Sequence, residues 1–281
     1  MTPPEPATGS ICSGLEITAT AQIAVEGELG EISGAVTSHR IPGSVWVHED
    51  SGNEAVLTEI GPKGGVRSHW TVPGAGAVDW EDMASAPDPD GVVHLFVGDI
   101  GDNEEKREHL AVLRLREPSP SDTSGTTAEP SVLTLALPTP RNLEALLVDP
   151  HSGDLVVATK SLDGVTEILV AEGAAWEPHG TEVGMQRVGS LRLGFGRAVL
   201  AGDVSPDGSL LALRTPVSVL LWARPDPSAS PAEVLTGSES CEAPAPFDPL
   251  GEALALTGDG YVLVGEAERP ELVVVSGPGA G

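Results

Sequence analysis

Apolar and polar residues follow one another along this chain in short runs, and the same order of runs recurs. Each recurring unit begins with a strand rich in small residues, passes through a glycine-containing turn and continues into a strongly apolar strand. A polar loop and two further strands follow. Short apolar runs that are bounded by Gly, Pro, Asp and Ser are typical of β-strands. The pattern therefore predicts an all-β chain, with helices confined at most to short loops.

The turn and the second strand of the unit occur five times. They read SHRIPGSVWVHED (38–50), APDPDGVVHLFVGD (86–99), DPHSGDLVVATK (149–160), SPDGSLLALR (205–214) and TGDGYVLVGE (257–266). The turn glycines are 48, 62, 55 and 52 residues apart, and they are Gly43, Gly91, Gly153, Gly208 and Gly260. Self-similarity at a period of about fifty residues indicates a repeat architecture with five units.

Each unit also supplies a third and a fourth strand, except the last. The predicted pairs are 55–60 and 66–72, 109–115 and 131–137, 166–172 and 185–193, and 218–224 and 232–237, with 271–275 alone in the fifth unit. An additional strand lies at the N-terminus, at residues 15–25. A ring of blades needs this arrangement, because the terminal strand then closes the circle without a free edge.

We therefore predict an all-β fold, a five-bladed β-propeller of four-stranded antiparallel blades that the N-terminal strand closes. A sandwich or an open set of hairpins is the alternative. Residues 1–14 are predicted to form a flexible N-terminal segment, and residues 15–281 a single propeller. The Pro/Ser/Thr-rich stretch 117–130 accounts for the longest interval between turn glycines and is expected to be a surface insertion.

Composition and charge limit what such a ring can bind. Fifteen Lys and Arg oppose forty-two Asp and Glu, which gives a formal net charge of −27. Nucleic-acid binding needs clustered cations, and an anionic membrane surface repels an acidic protein. A hydrophobic content of 40% is too high for a disordered chain. We expect a monomer that binds a small-molecule or protein ligand at one face.

The first strands of a propeller line its central channel, and the loop that leaves strand two returns to the face at which strand one begins. We call this face the top. Alignment of the repeats places acidic residues at the top of strand one in three of the five blades. The predicted metal ligands in or beside this register are Glu31, Ser33, Glu81, Glu144, Asp203 and Glu252. In blade four Leu200 occupies the register, three residues before the aspartate.

Carboxylates that converge on a narrow axis raise one another's pKa values unless a cation balances their charge. An all-oxygen set without Cys or His favours a hard ion, and Ca²⁺ tolerates irregular geometry better than Mg²⁺ does. The register therefore predicts a calcium ion at the top of the channel. The alternative is that the carboxylates accept backbone N–H bonds from neighbouring blades, with water in the channel.

The loops that leave strand two carry further candidates. The predicted ligand-binding residues are His48, Asp50, Asp99, Asp102, Asn103, Lys160, Arg214 and Glu266. The GDIGDN segment (98–103) combines oxygen ligands with glycines and could hold a second cation, or its aspartates could form Asx-turns. Lys160 and Arg214 could steady an anion, or form salt bridges to neighbouring blades.

Catalytic motifs are weak in this chain. Asp50, Asp99, Asp102, Lys160 and Arg214 are the candidates for acid–base or anion-binding roles. No Gly-x-Ser-x-Gly elbow, phosphate loop or dinucleotide fingerprint is present in the sequence. We predict a binding or scaffold propeller with calcium at the top of its channel. The alternative is a calcium-dependent hydrolase of a phosphoester, phosphoanhydride or lactone.

The most specific sequence motifs of the chain are WEDMA (80–84), VGDIGDN (97–103), NLEALLVDP (142–150), DVSPDG (203–208) and GEALALTGDG (251–260). With these motifs the chain resembles an uncharacterised bacterial β-propeller family, common in actinobacteria and related soil bacteria and often exported. The resemblance covers residues 31 to about 266 and implies secretion or a cell-envelope location, with a cytoplasmic location left open. The chain departs from the family at Glu49, where an Asn is usual, and at Pro216, where an aromatic residue is usual.

The architecture is also similar to that of calcium-activated nucleotidases, in which Glu and Ser side chains of first strands hold calcium. The positions that match in kind are Ser33, Glu81, Glu144 and Glu252. This similarity implies that Lys160 and Arg214 would be the cations that grip a phosphate.

Two features bear further on location. No apolar run approaches the roughly 20 residues of a membrane span. Residues 1–10 lack the basic and apolar regions of a signal peptide, although such a start also fits a tether left after a leader is removed. Cys12 precedes the closing strand near the bottom of the ring, whereas Cys241 follows the predicted fourth strand on the passage back to the top. We therefore expect no disulfide between them.

Overall fold

The computed structural model describes residues 11–23, 29–119, 124–173 and 181–277. Its strands form five separate sheets around a central channel, which confirms the five-bladed β-propeller. The closing strand β1 (Glu16–Gln22) pairs antiparallel with the third strand of the last blade, as the repeat pattern predicts. Residues 1–10 and 24–28, parts of the predicted flexible segment and closing strand, lie outside the described residues.

Each blade contains four antiparallel strands, which follow chain order from the channel outward in blades one to four. Blade one contains β2 (Ile32–Thr37), β3 (Val45–Glu49), β4 (Val56–Ile60) and β5 (Val66–Thr71). Blade two contains β6 (Trp80–Pro87), β7 (Val93–Asp99), β8 (Leu110–Arg116) and β10 (Ser131–Ala136), while the intervening β9 (Gly125–Thr126) joins blade one. Blade three contains β11 (Leu143–Val148), β12 (Leu155–Thr159), β13 (Val165–Ala171) and β15 (Gln186–Arg192), while β14 (Thr181–Gly184) joins blade two.

The remaining strands complete the ring. Blade four contains β16 (Ala201–Val204), β17 (Leu210–Arg214), β18 (Val219–Ala223) and β19 (Cys241–Ala243). Blade five contains β20 (Ala253–Leu256), β21 (Gly260–Val264) and β22 (Glu271–Ser276), and β1 is its outer strand. The short strands β9 and β14 pair in parallel with the outer strands of blades one and two. They cover edges that would otherwise be free to pair with another chain.

The core consists of five apolar layers, one between each pair of neighbouring blades. Small residues dominate near the channel, where the first strands of neighbouring blades contact one another. Ala35, Ala84, Ala145, Ala201 and Ala253 are all buried there. Larger side chains would not fit between strands that converge on an axis, so the small-residue pattern of strand one follows from the geometry of the ring.

The glycine turns between first and second strands have two physical causes. Gly43, Gly91, Gly153 and Gly208 have φ values of +75°, +77°, +76° and +72°, a region that favours glycine. Gly260 is instead required for close approach, because a Cβ atom there would lie 1.9 Å from the carbonyl oxygen of Val275.

The predicted fourth strand at 232–237 is wrong, because Pro231–Gly237 forms the helix α1. Ser230 at the N-cap, proline in the first turn and Glu233 three residues after the cap are helix-start signals that outweigh the short apolar run. The outer strand of blade four starts ten residues later than Pro231, at Cys241. This shift places Cys241 at the bottom of the blade.

The expectation that Cys12 and Cys241 form no disulfide is wrong, because Cys241 begins the outer strand of blade four instead of following it. Cys12, just before the closing strand, forms a disulfide with Cys241, 229 residues away in sequence. The bond ties the N-terminal strand of blade five to the outer strand of blade four. In the part of the chain that the structure describes, no helix has the length and hydropathy of a membrane span.

Candidate functional site

A β-bulge in strand one aims the predicted side chains at the top of the channel. The register with strand two shifts at Ser33 in blade one, at Glu81 and Asp82 in blade two, and at Glu144 in blade three. Bulges locally re-aim side chains and are common beside functional sites. Blades four and five both pair in regular register, and Glu252 of blade five lies one residue before its strand rather than in a bulge.

The structure brings three of the predicted acidic residues together around one cation. The Nζ atom of Lys160 lies 3.0 Å from Oε1 of Glu144 and 3.2 Å from Oε1 of Glu252. Glu81 is close enough to both carboxylates for their charges to act on it. We use the name channel mouth for the group that comprises Asp50, Asp79, Glu81, Glu144, Lys160 and Glu252.

Within the channel mouth, three carboxylates form an acidic trio. Asp50, Asp79 and Glu81 each offer an oxygen atom, and these atoms lie within 4.8 Å of one another. Asp50 comes from the loop after β3, Asp79 from the segment that joins blades one and two, and Glu81 from β6. Sequence reasoning missed Asp79, because it lies outside the aligned register. Its position two residues before Glu81 is the one signal that could have pointed to it.

Burial and mutual repulsion dominate the electrostatics of the channel mouth. Burial, followed by the charge of Glu144, raises the pKa of Glu81 well above its usual range. Burial also raises the pKa values of Glu144 and Glu252, although Lys160 opposes both shifts. Burial would lower the pKa of Lys160, but the two carboxylates outweigh it and raise the value. The charged form of Lys160 is therefore favoured, and its ammonium is paired with Glu144 and Glu252.

One carboxylate oxygen of Glu144 has no hydrogen-bond partner among the described residues. Its Oε1 accepts hydrogen bonds from Lys160 and from Nδ2 of Asn142, at 2.9 Å for the latter. Its Oε2 is buried, and no described donor reaches it. The side chain itself has no exposed area. A buried carboxylate oxygen without a partner is costly, so this atom is available to a cation or a proton.

Other predicted residues surround the channel mouth in supporting positions. The hydroxyl of Ser33 donates a hydrogen bond of 2.7 Å to the backbone carbonyl of Glu81. The carboxylate of Glu31 accepts a bond of 2.8 Å from Nδ2 of Asn53. Burial and the charges of nearby carboxylates, Glu252 foremost, raise the pKa of Glu266. Glu31 and Glu266 lie in top-face loops, whereas Ser33 is buried between blades one and two.

Asp203 lies deeper in the channel, together with Asp82, which sequence reasoning missed. Oδ2 of Asp203 accepts a hydrogen bond of 2.7 Å from the backbone N–H of Leu256, so the carboxylate joins blades four and five. Oδ2 of Asp82 accepts bonds of 2.9 Å from the N–H groups of Leu146 and Gly202, which joins blade two to blades three and four. Burial raises the pKa of Asp203 to about 8.

The GDIGDN segment is hydrogen-bonded to Arg107, which the sequence analysis does not predict as a site residue. The guanidinium donates hydrogen bonds of 2.6 Å to Asp99 and 2.7 Å to the carbonyl of Gly101. Asp102 accepts the backbone N–H of Arg107 at 2.8 Å. Arg107 therefore supplies positive charge where the sequence predicts a second cation. Asn103 accepts a hydrogen bond of 3.2 Å from the side-chain amide of Asn142, which also contacts Glu144.

His48 and Arg214 are buried rather than exposed at the entrance. His48 packs edge-on against Trp80, with ring centres 5.2 Å apart, and burial lowers its pKa to about 4. The guanidinium of Arg214 donates hydrogen bonds of 2.7 Å and 2.6 Å to the carbonyls of Ala253 and Val264 in blade five. It also lies 3.6 Å from the carboxylate of Asp248.

No protein-family model matches the chain, and no curated protein matches it in sequence. Several solved structures are similar to it at low identity. Hydrazine synthase from Kuenenia stuttgartiensis shares 11% identity over 85% of this chain and 69% of that chain, with a TM-score of 0.45. The WD40 repeats of RRP9 share 10% identity over 93% of this chain and 99% of that chain, also at 0.45. The structure of U3-55K shares 10% identity over 90% of this chain and 98% of that chain, with a TM-score of 0.44. The assignment as a β-propeller stands on the five sheets of the chain itself.

Proposed function

We propose that this chain is a binding or scaffold propeller that holds a divalent cation, calcium by preference, at its channel mouth. One observation carries the proposal. The acidic trio of Asp50, Asp79 and Glu81 sits beside Glu144, whose buried Oε2 has no described donor. Four carboxyl groups thus face one small region from blades one, two and three and from the segment that joins the first two.

The donor set favours a hard ion. All the candidate ligands are carboxylate oxygens, which suit Ca²⁺, Mg²⁺ and Mn²⁺ rather than softer metals. They come from two loops and two bulged strands. Such a set does not impose octahedral symmetry, so it suits the irregular coordination of Ca²⁺ better than that of Mg²⁺. Lys160 already balances part of the charge of Glu144 and Glu252, and the charge of Arg107 acts on Asp79, so the acidic trio is compensated only in part.

A cation at this position would act on the ring as a structural tie. Asp50 belongs to blade one and Glu81 to blade two, and Asp79 lies on the segment that joins them. Burial, followed by the charges of neighbouring carboxylates, raises the pKa values of Asp79 and Glu81, and a bound cation would offset the repulsion between these carboxylates. The bound ion would therefore stabilise the top of both blades and fix the shape of the binding face.

The disulfide between Cys12 and Cys241 indicates an oxidising environment. This supports a secreted or cell-envelope location. Calcium modules outside cells work with dissociation constants of about 0.1 to 1 mM, so a site with only three or four carboxylates is sufficient there. Calcium-dependent hydrolysis and membership of the bacterial propeller family stay predictions.

Calcium binding to the chelator-treated full chain tests the proposal. Isothermal titration calorimetry should show one calcium ion bound per chain, and thermal unfolding should show a higher melting temperature when calcium is present. The double variant Asp79→Asn/Glu81→Gln should show neither effect. Asp90→Asn is the matched control, because Asp90 is an exposed acid on the bottom face. The proposal is wrong if the wild-type chain binds no calcium up to about 10 mM, ten times the weakest extracellular modules. It is equally wrong if the double variant binds as the wild type does.

A further inference from the structure

Exposed apolar side chains are concentrated on the top face. Eight large apolar residues are exposed among the described residues. Six of them lie in top-face loops, and they are Val78, Leu162, Phe195, Val217, Phe247 and Leu250. The other two, Ile17 and Val188, lie on the outer strands of blades five and three. Scattered exposed apolar residues are normal in proteins, whereas a group that shares one face marks an interaction surface.

The first of two apolar groups lies on blade three. It consists of Leu162 and Phe195, whose exposed fractions are 71% and 91%. The two loops are held together by backbone hydrogen bonds, including one of 3.3 Å from the N–H of Gly196 to the carbonyl of Leu162. Gly194 and Gly196 both have positive φ, at +92° and +77°, so Phe195 stands at the tip of a tight turn. Its ring is presented outward by an ordered backbone.

The second apolar group lies on blades four and five. It consists of Val217, Phe247 and Leu250, and Phe247 is 74% exposed. The N–H of Asp248 bonds to the carbonyl of Pro216 at 3.0 Å, which joins the loops of the two blades. The carboxylate of Asp248 in turn accepts the N–H of Leu250 at 3.2 Å. This group, like the first, is fixed by backbone contacts.

Negative charge accompanies both groups at the top of blades three to five. Glu252 and Glu266 lie there, and Asp248 stands next to Phe247 of the second group. Lys160, Arg214 and Arg197 are already engaged by Glu252, Asp248 and Glu242. Arg269 lines the same pocket as Phe247 and Glu266. The surface thus combines fixed apolar side chains with carboxylates that attract a positive charge.

We propose that the top face of blades three to five docks a protein segment in which a Lys or Arg side chain is flanked by aliphatic or aromatic residues. The cationic side chain would lie toward Glu266, and its apolar neighbours would cover the two groups around Phe195 and Phe247. The inference rests on the proposed binding role but not on the cation, since the acidic trio belongs to blades one and two.

Charge selects this occupant over the others. A second copy of the chain would bring the same acidic face, at a net charge of −27, against itself. An anionic lipid surface is repelled for the same reason. A purely apolar segment would offer no polar partner to Glu266 as water is excluded.

The test uses a displayed library of random linear peptides selected on the immobilised full chain. Peptides that emerge are synthesised and titrated by fluorescence anisotropy against four proteins: wild type, Phe195→Ser/Phe247→Ser, Glu266→Lys and the control Ile17→Ser/Val188→Ser. All substituted side chains lie at the surface, so folding is expected to persist, and circular dichroism checks this. The control removes two exposed apolar residues from outer strands, away from the top face.

We expect selected peptides to contain Lys or Arg beside apolar residues. Their affinity should fall at least about ten-fold for Phe195→Ser/Phe247→Ser, as for aromatic anchors in other interfaces, and also for Glu266→Lys. The control should bind like wild type, and added salt should weaken binding. Binding should persist in chelator and in Asp79→Asn/Glu81→Gln, so failure of the calcium site and failure of this surface are distinguishable.

Four outcomes would overturn the inference. They are the absence of any enriched peptide, enrichment of peptides without basic residues, unchanged affinity in Phe195→Ser/Phe247→Ser, and equal loss in the control. Sedimentation of the free chain and binding to phosphatidylcholine vesicles test the other occupants. Self-association or vesicle binding that Phe195→Ser/Phe247→Ser abolishes would assign the surface to a second copy or to lipid instead.

Discussion

Lys160 of blade three reaches Glu252 of blade five across the top of the channel, with Nζ 3.2 Å from Oε1. The same ammonium lies 3.0 Å from Glu144 in its own blade. Between them stands blade four, where Leu200 replaces the acid that the repeat provides elsewhere. A long cationic side chain therefore spans the blade at which the acidic register is interrupted, and it couples two blades that are not neighbours in the ring.

Replacing Lys160 by Met should destabilise the ring. The side chain is only 27% exposed, and its loss would leave Glu144 and Glu252 unpaired in a buried setting. Breaking a buried pair from one side costs about 3 kcal/mol of unfolding free energy. Urea denaturation measures this loss. Adding Glu252→Gln should restore part of it, because one unpaired charge is then removed.

Lys106→Met is the control for this effect. Lys106 pairs with Glu104 on the surface, where both side chains are about three-quarters exposed (73% and 75%), and such pairs contribute little. Equal urea midpoints for Lys160→Met and Lys106→Met would contradict the bridging role of Lys160.

Asp82→Ala should loosen three blades at once. The carboxylate accepts backbone N–H groups from Leu146 and Gly202, and the side chain is fully buried. Without an acceptor these donors stay buried and unsatisfied, at a cost of about 2 kcal/mol or more of unfolding free energy. Thermal and urea unfolding measure the loss. The exposed Asp90→Ala should change stability by less than about 0.5 kcal/mol, and a similar result for Asp82→Ala would refute its joining role.

Removing the disulfide should destabilise the closed ring. Cys12→Ser/Cys241→Ser frees the N-terminal strand from blade four, and native disulfides contribute about 2 to 4 kcal/mol of unfolding free energy. Reductant should lower the urea midpoint of the wild type to that of the variant and leave the variant unchanged. A wild-type midpoint that does not respond to complete reduction would show that the bond contributes nothing to ring closure.

Asp203 should give the stability of the chain a distinctive pH dependence. Burial raises its pKa to about 8, whereas an aspartate in an unfolded chain titrates near its ordinary value of 3.8. Between these two values the folded state keeps a proton that the unfolded state has lost. The contribution of Asp203 to the unfolding free energy is therefore fully present at low pH and falls by about 1.4 kcal/mol per pH unit through the window. Above about pH 8 it is constant.

Asp203→Asn isolates this contribution, because the amide does not titrate. The difference in unfolding free energy between wild type and variant should decline as pH rises through the window and then level off. Urea denaturation at one-unit pH intervals measures it, with the exposed Asp90→Asn as control. A difference that is flat with pH, or that grows as pH rises, would contradict the raised pKa.

Much of the fold could be predicted from the sequence because its signals are local. A glycine turn, an apolar strand and a polar loop are properties of short segments, and their fivefold recurrence defines the blades. The surplus N-terminal strand, matched by the missing C-terminal one, is sufficient to predict closure by β1. The register of Glu81, Glu144 and Glu252 is likewise a consequence of repeat alignment, because equivalent positions in a ring converge on its axis.

The tertiary structure alone decided which of these residues meet and what each contacts. Asp79 contributes an oxygen atom to the acidic trio, and Lys160 bonds to Glu252 two blades away. Asp203 bonds to the backbone of blade five. The repeat period does not encode these distances, because they depend on the paths of the loops and strands. The helix α1 occupies the segment that the apolar run predicts as a strand, so the outer strand of blade four begins later, at Cys241. This places Cys241 close enough to Cys12 for the disulfide. Local periodicity thus determined the ring, whereas contacts between residues distant in sequence determined its site.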